Sequence, residues 1–122
     1  MAASTVQAVP KLYDVILWLL GRVERFPRSQ KFTLGDRIVN VALDILDLLI
    51  EATYTRERLP LLQKANVQLE KLRFLIRICH DFKLLSSKQY AYISNEINEV
   101  GKLVGGWIRS QSAASLVKPK NK

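Results

Sequence analysis

One cysteine and one histidine in 122 residues leave this chain without an internal disulfide or a Cys/His zinc cluster within one subunit. The lone Cys79 fits a reducing compartment. Long apolar runs are missing too. Nothing approaches the roughly 18 to 20 residues that span a bilayer, and the start, Met-Ala-Ala-Ser-Thr-Val, lacks the charged opening and apolar stretch of a secretory signal. A soluble, cytoplasmic protein with no membrane role is expected. Proline and glycine are scarce, at four and five, and no stretch alternates with the period of a strand.

The same scarcity argues against catalysis. Cys79 and His80 are neighbours in sequence, but successive helical residues point about 100° apart, so they form no nucleophile and base pair. Cys79 reads as a small core residue and His80 as a boundary one. Asp44, Asp47 and Glu51 share a helical face with no histidine beside them, which reads as a solvated acidic face rather than a metal site. No catalytic residue, metal site or cofactor is expected.

What the chain has in quantity is positive charge. Nineteen Lys and Arg against eleven Asp and Glu give a formal charge of +8, which favours an anionic partner. Its length suits one domain with a core of its own. Breaks near Pro27, Pro60 and Ser86-Ser87 leave four segments with helical spacing. The first runs from about Pro10 to Arg25 with Leu12, Tyr13, Ile16, Leu19, Leu20 and Val23 in register. The second runs from about Thr33, where Thr33 and Asp36 have capping-box spacing, to Thr55. The third spans Leu59 or Pro60 to Lys83. The fourth opens at Ser86 or Ser87, with Ser86 and Gln89 in capping-box spacing, and ends near Arg109. Short connections make neighbours antiparallel, so the fold is all-α, an up-down-up-down four-helix bundle. The expected layout is an N-terminal segment over 1–9, the bundle over 10–111 and a flexible basic tail over 112–122.

Helix two carries more apolar surface than one bundle uses. Leu34, Ile38, Val41, Ile45, Leu48 and Ala52 form the expected core seam, and Val39, Leu43, Leu46 and Ile50 widen the arc to roughly 220°, against the ~100° stripe of an ordinary surface helix. The surplus predicts an oligomer interface; burial under a loop or the N-terminal segment is the alternative. Three cations, Arg28, Lys31 and Arg37, crowd the turn between helices one and two. On helix three, Leu62, Ala65, Leu69, Leu72, Ile76 and Cys79 face the core, while Asn66, Glu70, Arg73, Arg77 and Asp81 share a face and Lys64 and Lys71 hold a separate flank. That face is either a solvated, internally paired stripe or a phosphate-binding surface multiplied by symmetry. Ser94, Asn98, Gly101 and Gly105 stack along one side of helix four, marking close helix packing, with a helix end at Gly106 as the alternative. Trp18, Tyr90 and Tyr92 could stack on bases, though packing also explains them.

These residues resemble the accessory variability determinant (Avd) family of diversity-generating retroelements, within a four-helix-bundle group that includes the intervening-sequence proteins of large ribosomal RNA. The likeness covers most of Leu12 to Ser110. It is carried by Phe26-Pro-Arg-Ser-Gln-Lys-Phe-Thr-Leu-Gly-Asp-Arg37, Leu72-Arg-Phe-Leu-Ile-Arg-Ile-Cys-His-Asp81, Leu84-Leu-Ser-Ser-Lys-Gln-Tyr90 and the Gly101 to Trp107 run. The resemblance implies a cytoplasmic, non-enzymatic helper that forms a homopentameric barrel, binds the element's reverse transcriptase and its template RNA or DNA, and supports mutagenic retrohoming. It points to Arg28, Lys31, Arg37, Arg73 and Arg77 as polymerase or nucleic-acid contacts, to which the flank adds Lys64 and Lys71. The rival readings are a generic interaction module of the intervening-sequence type and a small metal or thiol enzyme.

Overall fold

A computed structural model describes the backbone of residues 2–117 and the side chains of residues 7–112. Among them there are helices and no strands: α1 (Ala2–Val23), a short α2 (Arg28–Gln30) that passes through a π turn (Lys31–Gly35) into α3 (Asp36–Thr53), α4 (Leu59–Asp81) and α5 (Ser87–Val117). The α2–α3 run counts as one helix, so four long helices make a bundle. α1 packs on α3 and α5, and α4 packs on the same two. The pairings Lys11–Glu96 and Trp18–Tyr92 set α1 antiparallel to α5. Arg73–Asn98 and His80–Ser87 do the same for α4 and α5.

Each helix is held by one buried stripe. On α4 the six residues read from periodicity, Leu62 through Cys79, are all buried. On α1 the stripe is Ala8, Leu12, Val15, Ile16, Leu19 and Val23, and Tyr13 and Leu20 face outward instead. On α3 it is Ile38, Val41, Ala42, Ile45, Leu49 and Ala52. Leu48, assigned to the seam from sequence, is half-buried, because at 100° per residue it falls about 80° from the stripe's centre while Leu49 falls near it. Ile93, Ile97, Val100, Val104 and Trp107 complete the core from α5.

Helix boundaries depart from the sequence reading in three places. Pro10 lies inside α1 rather than opening it; it is exposed, where water can serve the carbonyl that its missing N–H leaves without a donor. The second helix begins at Arg28 with Pro27 at its N-cap, the Lys31 N–H donating to the Pro27 carbonyl at 2.8 Å. Thr33 therefore caps nothing, and its hydroxyl donates back to the Ser29 carbonyl at 2.8 Å. The extra residue is taken up by the π turn, in which the Asp36 N–H reaches the Lys31 carbonyl. Third, α5 does not stop near Arg109 but continues to Val117, so part of the expected tail is helical, and Lys118, Lys120 and Lys122 lie outside the described residues. By contrast Ser86 and Gln89 form the expected reciprocal cap, the Gln89 N–H donating to Ser86 Oγ at 3.1 Å and the Ser86 N–H to Gln89 Oε1 at 3.0 Å.

The α4–α5 turn is a Schellman motif. The Leu84 N–H donates to the Cys79 carbonyl and the Lys83 N–H to the His80 carbonyl, with Lys83 at φ 65°, the one non-glycine residue at positive φ among the described residues. A side chain there carries the left-handed penalty that glycine avoids. Lys83→Gly is expected to raise stability by about 0.5–1 kcal/mol in urea unfolding, and the β-branched Lys83→Val to lower it.

Candidate nucleic-acid and partner interface

The antiparallel order brings sequence-distant cations together. The end of α1, the start of α2–α3, the end of α4 and the start of α5 all lie at one pole of the bundle. Arg22, Arg25, Arg28, Lys31 and Arg37 thus gather at the same end as Arg77, Lys83 and Lys88, opposed by Glu24, Asp36 and Asp81. Sequence inspection found the local cluster at Phe26 to Arg37; the pooling with the α4–α5 turn needed the fold.

The seven cations named from sequence separate into groups, four of them at this pole. Arg28 and Lys31 flank the exposed Phe32 ring, at 5.7 and 5.9 Å from its centroid, and Lys31 Nζ also lies 3.5 Å from Glu24. Arg37 turns away from them and lines a cleft with Val41, Lys71, Phe74 and Leu75. Arg77 is held loosely, 3.9 Å from Asp81, with its side chain 64% exposed. Arg73 is committed within the chain: Nη1 donates to Glu70 Oε1 at 2.9 Å and Nε to Asn98 Oδ1 at 3.0 Å. Lys64 and Lys71 form a further pair, Lys71 bordering the Arg37 cleft as well. They line a groove of about 550 Å³ between α3 and α4, facing Asp44 and Asp47 over a floor that includes Leu48 and Val67.

Phe32, 58% exposed, is a functional candidate that sequence reasoning passed over, although an apolar ring between two cations was legible in the Arg28-Ser-Gln-Lys-Phe32 run. A flat π face beside two positive charges can stack a base and hold its phosphate. Trp18 and Tyr92, weighed as stacking residues, pack on each other with ring centroids 5.7 Å apart. Tyr90 stacks on His80 at 4.5 Å.

Gly101 has a reason other than close helix approach. A Cβ there would lie 2.5 Å from Arg73 Nη2; the guanidinium crosses α5 at the glycine to reach Asn98. Gly35 does serve packing, since a Cβ would come within 2.6 Å of Val23 Cγ1 where α1 ends against the π turn. The α5 helix runs through Gly106, so no helix end falls there.

Cys79 is buried, and burial pushes its thiol up to about 12. That keeps it protonated and unreactive in the folded protein. Among the described residues no group of three or more His, Cys, Asp or Glu is placed to hold a metal, and no helix is long and apolar enough to cross a membrane. A family model described as bAvd-like matches residues 7–111. No curated protein matches the chain.

Two outcomes follow from these contacts. Gly101→Ala is expected to push the Arg73 guanidinium off Asn98 while changing stability by less than about 1 kcal/mol, since alanine's helix preference offsets the strain; an Arg73→Ala with Asn98→Ala double-mutant cycle run in that background should then show the Arg73–Asn98 coupling gone. For Cys79, a thiol pKa raised on folding stabilises the native state fully below the unfolded value of about 9, and this contribution is lost as pH rises toward about 12. Alkaline unfolding of Cys79→Ser should lack that component, and a thiol reagent should label the wild-type chain only after denaturant is added.

Proposed function

Because the chain belongs to the bAvd-like family, we propose that it works as a non-enzymatic scaffold that binds its element's reverse transcriptase and the template RNA, self-associates as a homopentamer, and thereby supports mutagenic retrohoming. The family is one of accessory proteins of diversity-generating retroelements. The observation that carries the binding part of the reading is the basic pole. Eight Lys and Arg from both hairpins converge there against three carboxylates, a density suited to phosphate contact and counterion release. Exposed Phe32 and Phe82 lie at the same end, offering surfaces for unpaired bases.

Of the pole's cations named from sequence, Arg28 and Arg77 are exposed and Lys31, half-buried, is held only by Glu24 at 3.5 Å, so a ligand can draw on all three. Arg73 acts on this reading as a strut between α4 and α5, since leaving Glu70 and Asn98 for a phosphate would forfeit two charge-assisted bonds. Self-association draws on helix-two surface. Leu43 and Ile50 are exposed there, at 39% and 42%, whereas Val39 and Leu46 are half-buried and already packed against the core.

The test is fluorescence anisotropy with a labelled single-stranded RNA across a salt series. The triple variant Arg28→Ala, Lys31→Ala, Arg77→Ala should bind at least about tenfold more weakly near 0.1 M salt, and its log K against log salt slope should fall by about 2, at ~0.7 per lost contact on a single strand. Wild-type affinity and slope in the triple variant would remove the pole from the reading.

A further inference from the structure

Two clefts join along the α3–α4 side of the bundle. Lys71 borders both the groove of about 550 Å³ that holds Asp44, Asp47 and Lys64 and the smaller cleft, of about 300 Å³, that Arg37 lines with Phe74. They form one trough. Asp47 lies ten residues beyond Arg37 on α3, which makes the trough about 15 Å long. Its lining is apolar throughout that length, with Val41, Phe74 and Leu75 toward the pole and Leu48 and Val67 beyond them. Val67 and Phe74 stand 57% and 56% exposed, so their apolar surface is left for a guest.

The charges along the trough are uncommitted. Among the described residues Arg37, Asp44, Asp47, Lys64 and Lys71 enter no ion pair, although acids of α3 face lysines of α4 across the groove. Among those residues, too, the pole end of the trough is lined by two cations and no carboxylate, whereas Asp44 and Asp47 stand beside Lys64 farther along. Gln68 borders the same groove with its side-chain carbonyl oxygen buried and unpartnered, and such an acceptor gains when a donor reaches it. These features select among occupants. A phosphate backbone laid along the trough would run against Asp44 and Asp47, which speaks against RNA. An extended strand would leave its backbone N–H and C=O groups without partners, since two helices offer no sheet edge. A helix meets neither objection: it satisfies its own backbone, about three turns cover the length, and its side chains can carry both signs.

We propose that the trough receives an amphipathic helix of the reverse transcriptase, its apolar ridge on Val67 and Phe74 and its carboxylates toward Arg37 and Lys71 at the pole end. This deepens the polymerase-binding part of the proposed function and rests on it. Two cations at one end and mixed signs at the other fix the direction in which the guest lies. The seven cations named from sequence then divide by partner: Arg28, Lys31 and Arg77 serve RNA at the pole, Arg37, Lys64 and Lys71 serve protein along the trough, and Arg73 serves the fold. The two surfaces meet at Arg37, so a polymerase seated in the trough stands beside the RNA held at the pole.

Titration of the immobilised chain with nuclease-treated reverse transcriptase of the same element tests this. Two double variants at exposed positions are compared with the wild type, Val67→Ala with Phe74→Ala and Arg37→Gln with Lys71→Gln, each checked for helix content by circular dichroism. Each should lower polymerase affinity at least about tenfold, and the apolar pair should keep the RNA affinity and salt slope of the wild type. The Arg28, Lys31 and Arg77 triple variant should keep its polymerase affinity; its loss overturns the division of cations between partners. Wild-type polymerase affinity in both trough variants overturns the trough and leaves the polymerase reading standing, whereas a wild-type chain that binds no polymerase overturns both. An apolar pair that loses RNA affinity makes the trough a nucleic-acid surface, and one that changes the mass of the chain alone in light scattering fills it with a second copy; either result overturns the proposal.

Discussion

Burial of one apolar stripe from each of four helices in a single core is the constraint on which the rest of the molecule depends. Among the described residues no polar or charged residue is fully buried, so the core is closed by apolar packing alone and carries no ionic specificity of its own. Helix order therefore decides which charges meet. Short turns force neighbours antiparallel, and that is what joins Arg28 to Arg77 at one pole while leaving Lys64 toward the other. Lys11–Glu96 at 2.8 Å and Arg73–Asn98 at 3.0 Å tie α5 to its two neighbours from outside. Pairs of this kind, partly exposed, contribute less to stability than to holding register.

Much of this was legible in the sequence, and the exceptions have physical causes. The α4 stripe was read residue for residue because its small and apolar positions are separated by polar or charged residues on every turn. α1 misled because Tyr13, Leu17 and Leu20 are apolar on a flank that the core does not reach, and periodicity alone cannot tell a second stripe from a wide first one. Thr33 and Asp36 had the spacing of a cap, yet Pro27 opened the helix earlier and Thr33 found a carbonyl four residues back. Of the candidate site, the cations were identifiable by type but not by commitment. Arg73 and Arg77 look alike in sequence; only the positions of Asn98 and Gly101 on another helix make the first a strut and leave the second available.

The division between pole and flank bears on how one small domain can serve several partners. Groups at the pole are exposed, polar and loosely held, which suits contacts that form and release with salt and sequence. The flanks expose large apolar side chains such as Leu17, Leu43 and Phe74, which suit contacts that persist. On the proposed function, separate surfaces keep self-association from competing with ligand for the same side chains.

The π turn at Lys31–Gly35 keeps the angular phase between the two parts of the second helix. A π turn holds one residue more than an α turn, so its extra residue is absorbed in a wider loop and Arg28 keeps about the same direction relative to α3 as uninterrupted winding with one residue fewer would give it. Ile38 and the rest of the α3 stripe stay in the core on either count. The chain can thus carry an added residue beside its charged corner without redirecting the charge or disturbing the packing that keeps it folded.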